Sequence, residues 1–212
     1  MTIQEVKRAL KRRRPGLAAQ VRMAPPYRLE EAGLLRNPPP CKQAGVLILL
    51  HLIAGRLHFP LTRRPDSVEF HKGQISLPGG AQEEGETLEQ TALRETQEEI
   101  GAPAREIELL GRLTPLYVPH SNFSIQPWVG WLAGRPAFRV EPTEVAELFE
   151  APLDVLIEPA TVEVEEWEVR GGKWLISFYR FGAHKVWGAT AMILAEFVAM
   201  LRAGAQIRRP KS

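Results

Sequence analysis

Three carboxylates, Glu95, Glu98 and Glu99, stand in a run of residues, 87–100, that contains neither Gly nor Pro and is dominated by good helix formers. At helical spacing the three side chains fall within an arc of roughly 100°. Ala92, Leu93, Thr96 and Ile100 fill the adjacent sector, so one face can pack on a sheet while the next is densely acidic. Like charges three and four residues apart repel by ~0.2–0.5 kcal/mol per pair, and a divalent cation would remove that repulsion. Mg²⁺ takes carboxylate oxygens and completes its shell with water and substrate phosphate. From these residues alone two readings stand: a hard-metal centre, or a solvated acidic face supported by Arg94.

Such a helix needs a start, a stop and a floor. Thr87 can cap it, and Gly101 sits where a helix end takes a left-handed residue. Residues 45–53 are rich in Val, Ile and Leu and read as a buried strand, with 57–63 as its hairpin partner across Ala54-Gly55-Arg56. Residues 74–77 are a short extended run ending at Pro78-Gly79-Gly80. Strands are expected at 107–116 and 124–132, a short helix at 144–149, and a hairpin of 161–169 with 173–180 around Gly171-Gly172. A final helix over 189–203 carries a broad apolar face from Met192, Leu194, Phe197, Val198 and Leu201. Strands, helix, strands, helix predict an α/β (α+β) fold, a mixed sheet between helices.

Ahead of this, Ile3, Val6 and Leu10 at helical spacing predict a short amphipathic helix, and a second helical stretch covers 29–35. Asn37-Pro38-Pro39-Pro40 then breaks regular structure. Residues 1–40 therefore read as a helical extension with a Pro-rich connector, 41–205 as the main domain and 206–212 as a basic tail. The 212 residues hold 27 Lys and Arg against 25 Asp and Glu, a net charge of +2. Nothing global points to nucleic acid or a membrane as partner. The basic cluster Lys7, Arg8, Lys11, Arg12, Arg13 and Arg14 reads as a solvated face. Cys41 is the single cysteine, so no internal disulfide forms. No signal-like apolar run precedes the domain, and a cytoplasmic location is expected. Monomer and homodimer both stay open.

From Gly80 the chain runs five residues to Glu86, seven more to Arg94, then Glu95-Thr96-Gln97-Glu98-Glu99-Ile100-Gly101-Ala102. This resembles the Nudix box, G-x5-E-x7-R-E-U-x-E-E-x-G-U with U aliphatic. Every fixed position is present. Thr96 and Ala102 are smaller than the usual aliphatics, a difference of packing rather than charge. The resemblance implies a metal-dependent hydrolase of nucleoside diphosphate derivatives. It implies that Glu95, Glu98 and Glu99, with the carbonyl of Gly80, hold Mg²⁺ or Mn²⁺, while Glu86 and Arg94 orient them. The metal would neutralise charge developing at phosphorus and lower the pKa of the attacking water. A carboxylate then takes the water's proton, for which both Glu99 and Glu144 are candidates.

Upstream, Leu61-Thr62-Arg63-Arg64-Pro65 and the run Gly73 to Gly80 are similar to the added signature of the coenzyme A diphosphatase branch, L-L-T-x-R-[SA]-x3-R-x3-G-x3-F-P-G-G. Leu61, Thr62, Arg64, Gly73, Pro78, Gly79 and Gly80 match. Pro60, Pro65, Glu69 and Leu77 depart from it. The loss of a basic residue at Glu69 matters most, because coenzyme A carries a 3′-phosphate besides its diphosphate. On this resemblance Arg63, Arg64, His71, Gly73 and Gln74 become candidate substrate contacts. Tyr117 and Phe123 become candidates for stacking on adenine, although strand aromatics also serve as core. ADP-ribose or a dinucleotide such as NADH is the competing substrate. A ligand-binding regulator without turnover is the competing class, and the intact glutamates argue against it.

Overall fold

The computed structural model describes residues 1–30, 32–65 and 73–206, with nothing said of the side chains of 32, 34, 205 and 206. Four short helices come first: α1 (Ile3–Leu10), α2 (Leu17–Gln20), α3 (Pro26–Glu30) and α4 (Ala32–Arg36). Then follow β1 (Lys42–Ile53), β2 (Arg56–Arg63), β3 (Ile75–Ser76), β4 (Gly79–Ala81), α5 (Leu88–Ile100), β5 (Glu108–Arg112), β6 (Leu116–Val118) and β7 (Phe123–Trp131). The chain continues through β8 (Glu147–Pro152), α6 (Leu153–Ile157), β9 (Val162–Val169), β10 (Gly172–Phe181), β11 (His184–Val186) and α7 (Gly188–Gln206).

β1 organises the molecule. Its first half pairs antiparallel with β4 and, over Lys42–Leu50, parallel with β7; its end pairs with β2. The sheet runs β3-β2-β1-β7-β5, with β4 on β1, β6 on β7 and β8 on β2. β9, β10 and β11 form a second sheet. Because strand side chains alternate, Leu47 and Leu49 of β1 join Ala92 and Ile100 of α5 on one face. Ile48 and Leu50 join Phe197, Leu194 and Leu201 of α7 on the other. The expected mixed sheet between helices is therefore what forms. α5 lies directly on β1: a Cβ at Gly45 would run into the Leu88 carbonyl and sit 2.9 Å from the Ala92 nitrogen, so the helix that carries the glutamates is held at glycine distance from the sheet.

The N-terminal helices pack on α7 rather than standing apart. Val6, Ala9 and Met23 lie in the same core cluster as α7. Glu196 of α7, fully buried, accepts hydrogen bonds from the Gly16 N–H (3.1 Å), the Gln20 amide (3.0 Å), the Thr114 N–H (3.0 Å) and the Thr114 hydroxyl (2.7 Å). The predicted helix at 144–149 is corrected. Glu147, Leu148 and Phe149 pair with Arg63, Thr62 and Leu61 as β8, because a free edge of β2 and a half-buried face outweigh local helix preference. The strand expected over 107–116 is interrupted between β5 and β6, after a bulge at Leu109/Gly111.

His51 of β1 is fully buried with its Nε2 3.4 Å from the Glu150 carboxylate and its ring edge-on to Phe138. Burial, then the charges of His58 and Arg135, hold its pKa down at about 4. Between pH 6.5 and 4 the unfolded chain therefore binds the proton that the folded one refuses. Stability present above pH 6.5 is lost as pH falls through 4, by about 3 kcal/mol. Urea unfolding of His51→Leu is expected to show a shallower acid slope in that window; an unchanged slope would refute the neutral, buried imidazole.

Candidate active site

The glutamates are placed by a well-terminated helix. At the start of α5 the Gln90 N–H reaches the Thr87 hydroxyl (3.2 Å) and the Gln90 side chain accepts from the Thr87 N–H (2.8 Å), a reciprocal cap. At its end Gly101 takes φ 70°. Both expectations from the sequence hold.

Arg94 is the hub of the cluster. Its Nε and one terminal nitrogen grip both oxygens of Glu86 (2.7 and 3.1 Å), its other terminal nitrogen reaches Glu95 (2.9 Å) and Glu98 (2.8 Å), and it also donates to the Ala81 carbonyl (3.1 Å). The Thr91 hydroxyl and the Glu83 N–H complete the shell of Glu86. Hydrogen bonding from Arg94 pulls the Glu86 pKa down to about 2. Thr91, Glu83 and the Ala81 carbonyl were not singled out from the sequence; a hydroxyl five residues after Glu86, hence on the same side of the turn, was the available signal.

The other two carboxyls are under opposite stress. Burial raises the pKa of Glu95, against the pull of Arg94. Glu99 is only 6% exposed, and its carboxylate accepts a hydrogen bond from the Gly79 N–H at 3.2 Å. Burial pushes its pKa up to about 8; the Gly79 bond and Arg64 oppose this, and Glu95 and Glu144 add to it. Any side chain at Gly80 would overlap the Glu95 carboxylate, so the box glycine is required by close approach. A buried carboxyl with its pKa raised, beside a second raised carboxyl and a third at Glu98, is a donor set that suits a hard divalent cation. Among the described residues, no three His, Cys, Asp or Glu side chains already converge as a closed cage: Glu95 and Glu98 turn to Arg94, and Glu99 turns to Gly79. An ion held here would draw on carboxylate oxygens that Arg94 now shares, together with water and substrate.

Arg64 and Glu144, from the end of β2 and the turn before β8, both act electrostatically on Glu99. The Arg64 N–H bonds the Gln74 carbonyl (3.1 Å), tying Arg64 to the loop after Gly73. Arg63 faces the other way, to Glu147 (3.1 Å), which also meets His184 (2.8 Å). Tyr117 and Phe123 lie on the β6–β7 hairpin: the Tyr117 hydroxyl donates to Asn122 (2.8 Å), and the Lys42 ammonium sits 5.8 Å from the Phe123 ring. His71 lies outside the described residues, as does the segment around Glu69.

Residues 42–175 match the NUDIX domain model. A Pectobacterium atrosepticum protein described as the uncharacterized Nudix hydrolase NudL is 35% identical over 82% of this chain and 91% of its own length. Its counterpart from Photorhabdus laumondii is 31% identical over 79% and 93%. A MutT/nudix family structure from Enterococcus faecalis superposes with TM-score 0.51 at 18% identity, over 85% of this chain and 70% of that one, a likeness of fold. The chain belongs to the Nudix hydrolases, enzymes of nucleoside diphosphate derivatives that generally use Mg²⁺ or Mn²⁺. No helix among the described residues is long and apolar enough to cross a membrane.

Proposed function

We propose that the enzyme hydrolyses the diphosphate of coenzyme A or an acyl-coenzyme A, releasing 4′-phosphopantetheine or its acyl form and adenosine 3′,5′-bisphosphate. Glu95, Glu98, Glu99 and the Gly80 carbonyl hold Mg²⁺ or Mn²⁺, which neutralises phosphate charge and acidifies water when bound. Arg94 and Glu86 keep the carboxylates aimed. Glu99 or Glu144 accepts the proton of the attacking water; the charge of Glu144 is felt at Glu99, which supports its candidacy.

The observation that carries the substrate is Arg64. It matches the branch signature, and its charge is felt at Glu99, which supports a role for its guanidinium in meeting a phosphate outside the diphosphate. The replacement at Glu69 favours the second reading, cleavage of ADP-ribose or a dinucleotide. Product analysis with coenzyme A, ADP-ribose and NADH side by side separates them. A charge-assisted hydrogen bond is worth roughly 1.5–3 kcal/mol, so Arg64→Ala is expected to lower kcat/KM for coenzyme A about ten- to a hundredfold. If Arg64 reads the 3′-phosphate, dephospho-coenzyme A is a poorer substrate for the wild type and loses little more in the variant. Equal losses on both substrates would assign Arg64 to the shared diphosphate. Rapid cleavage of ADP-ribose with none of coenzyme A would overturn the proposal.

A further inference from the structure

The segment between β7 and β8 is tied to the carboxylate helix through its backbone. The Arg139 N–H donates to the Ile100 carbonyl and the Glu141 N–H to the Glu99 carbonyl, both at 2.9 Å. These carbonyls belong to the last turn of α5, where no partner exists within the helix. The approach is close: a Cβ at Gly101 would lie 3.1 Å from the Arg139 carbonyl oxygen and 3.2 Å from its nitrogen. The glycine that ends the helix therefore also admits this segment.

Beyond Glu141 the chain closes a single turn. The Glu141 carbonyl accepts from the Glu144 N–H (3.0 Å) and the Val145 N–H (2.9 Å). The Glu141 carboxylate accepts from the Thr143 N–H (3.2 Å) and the Thr143 hydroxyl (2.8 Å), as the side chain of a helix cap does. Pro142 fills the first position of the turn, where a missing N–H costs nothing. Val145 is buried, and the Ala146 N–H then donates to the Arg63 carbonyl (2.9 Å). The turn is thus anchored on the backbone of Glu99 at one end and beside Arg64 at the other. Glu141 spends its carboxylate on the turn. Glu144 does not: among the described residues no hydrogen bond or ion pair engages its side chain, and its charge is felt at both Glu95 and Glu99. Those like charges would swing a loosely held Glu144 away, so the cap acts against a definite force.

We infer that Glu141 and Thr143 are positioning residues of the reaction: their capped turn, latched to the Glu99 backbone, presents the Glu144 carboxylate to the metal glutamates. The inference rests on the reading in which Glu144 takes the proton of the attacking water, as the water oxygen bonds to phosphorus and the bridging oxygen leaves. It goes beyond that reading by giving a role to two exposed side chains outside the Gly80–Ala102 motif, and it holds whichever diphosphate is cleaved.

The test is a double-mutant cycle on kcat and KM with Mg²⁺, using whichever of coenzyme A and ADP-ribose the wild type cleaves, so that a failed coenzyme A reading leaves it intact. Glu144→Ala should lower kcat about a hundredfold, as loss of a proton acceptor does. Glu141→Ala and Thr143→Val should each lower kcat about tenfold with KM nearly unchanged, because a misplaced group weakens attack rather than binding. Glu141→Gln, whose amide oxygen can still accept, and Thr143→Ser, which keeps the hydroxyl, should recover most of the rate. In the Glu144→Ala background, Glu141→Ala should have no further effect. A near wild-type kcat in Glu144→Ala would overturn both the Glu144 reading and the inference. A low kcat in Glu144→Ala with full activity in Glu141→Ala and Thr143→Val would overturn the positioning role alone. So would an equal loss from Glu141→Ala in both backgrounds, which is the mark of a turn that supports the fold and not Glu144.

Discussion

Glu99→Gln is expected to lower kcat on the order of a thousandfold, about 4 kcal/mol of barrier, while the protein stays folded. The side chain is nearly isosteric, and the buried carboxyl it replaces has its pKa pushed up to about 8. Without metal the native group is therefore mostly protonated at neutral pH, and glutamine imitates that neutral form. What is lost is the negative charge that a cation requires. The pH dependence follows with a definite sign. A carboxyl whose folded pKa lies above its unfolded value of about 4.5 binds more protons in the native state between the two. Its contribution therefore declines as pH rises from 4.5 through 8, by ~5 kcal/mol at most.

Two measurements separate this from a merely structural role. Metal-free wild type should lose stability relative to Glu99→Gln between pH 5 and 8, a difference from which the rise below pH 6.5 that both owe to His51 cancels. Added Mn²⁺ should raise the wild-type Tm, most strongly above pH 7, and should raise that of the variant much less. A folded Glu99→Gln enzyme turning over at near the wild-type rate would remove Glu99 from the metal site.

The chemistry of the site was legible in the sequence because it is local. Glu86, Arg94, Glu95, Glu98 and Glu99 lie within fourteen consecutive residues, and one helix with a fixed repeat converts their spacing into geometry. Thr87 and Gly101 were legible for the same reason, since caps are decided by neighbours in the chain. What stayed hidden depends on partners far away. Glu147–Phe149 carries helix-compatible residues, and only the edge of β2 makes it a strand. Arg63 and Arg64 are adjacent, yet the first pairs with Glu147 and the second acts on Glu99, a split set by strand alternation at the end of β2. The basic residues of the first segment drew attention to charge. Its structural weight is in Val6, Ala9 and Met23, and in donors to a glutamate some 180 residues later.

Deleting residues 1–36 is accordingly expected to leave a poorly folded protein, although the family match begins only at residue 42. The deletion uncovers the face of α7 on which Val6, Ala9 and Met23 are packed; at ~1.5–3 kcal/mol for each large apolar side chain exposed, this removes much of a typical 5–15 kcal/mol stability. It also strips the Gly16 N–H and the Gln20 amide from Glu196, leaving a carboxylate deep against the core with Thr114 as its remaining donor among the described residues. A buried charge that loses its partners is more costly than no charge at all, by ~3–5 kcal/mol. This gives the prediction a sign that general loss of packing does not share. In the full-length chain Glu196→Leu should destabilise, because the N–H groups of Gly16 and Thr114 and the Gln20 amide lose their acceptor. In the truncated chain the same substitution should stabilise, because the stranded carboxylate is gone while fewer donors remain to miss it. Urea unfolding of the four proteins in that double-mutant cycle measures the reversal. Destabilisation by Glu196→Leu of equal size in both backgrounds would show that the N-terminal helices do not act through Glu196, and an unchanged midpoint on truncation alone would show that they do not hold α7 at all.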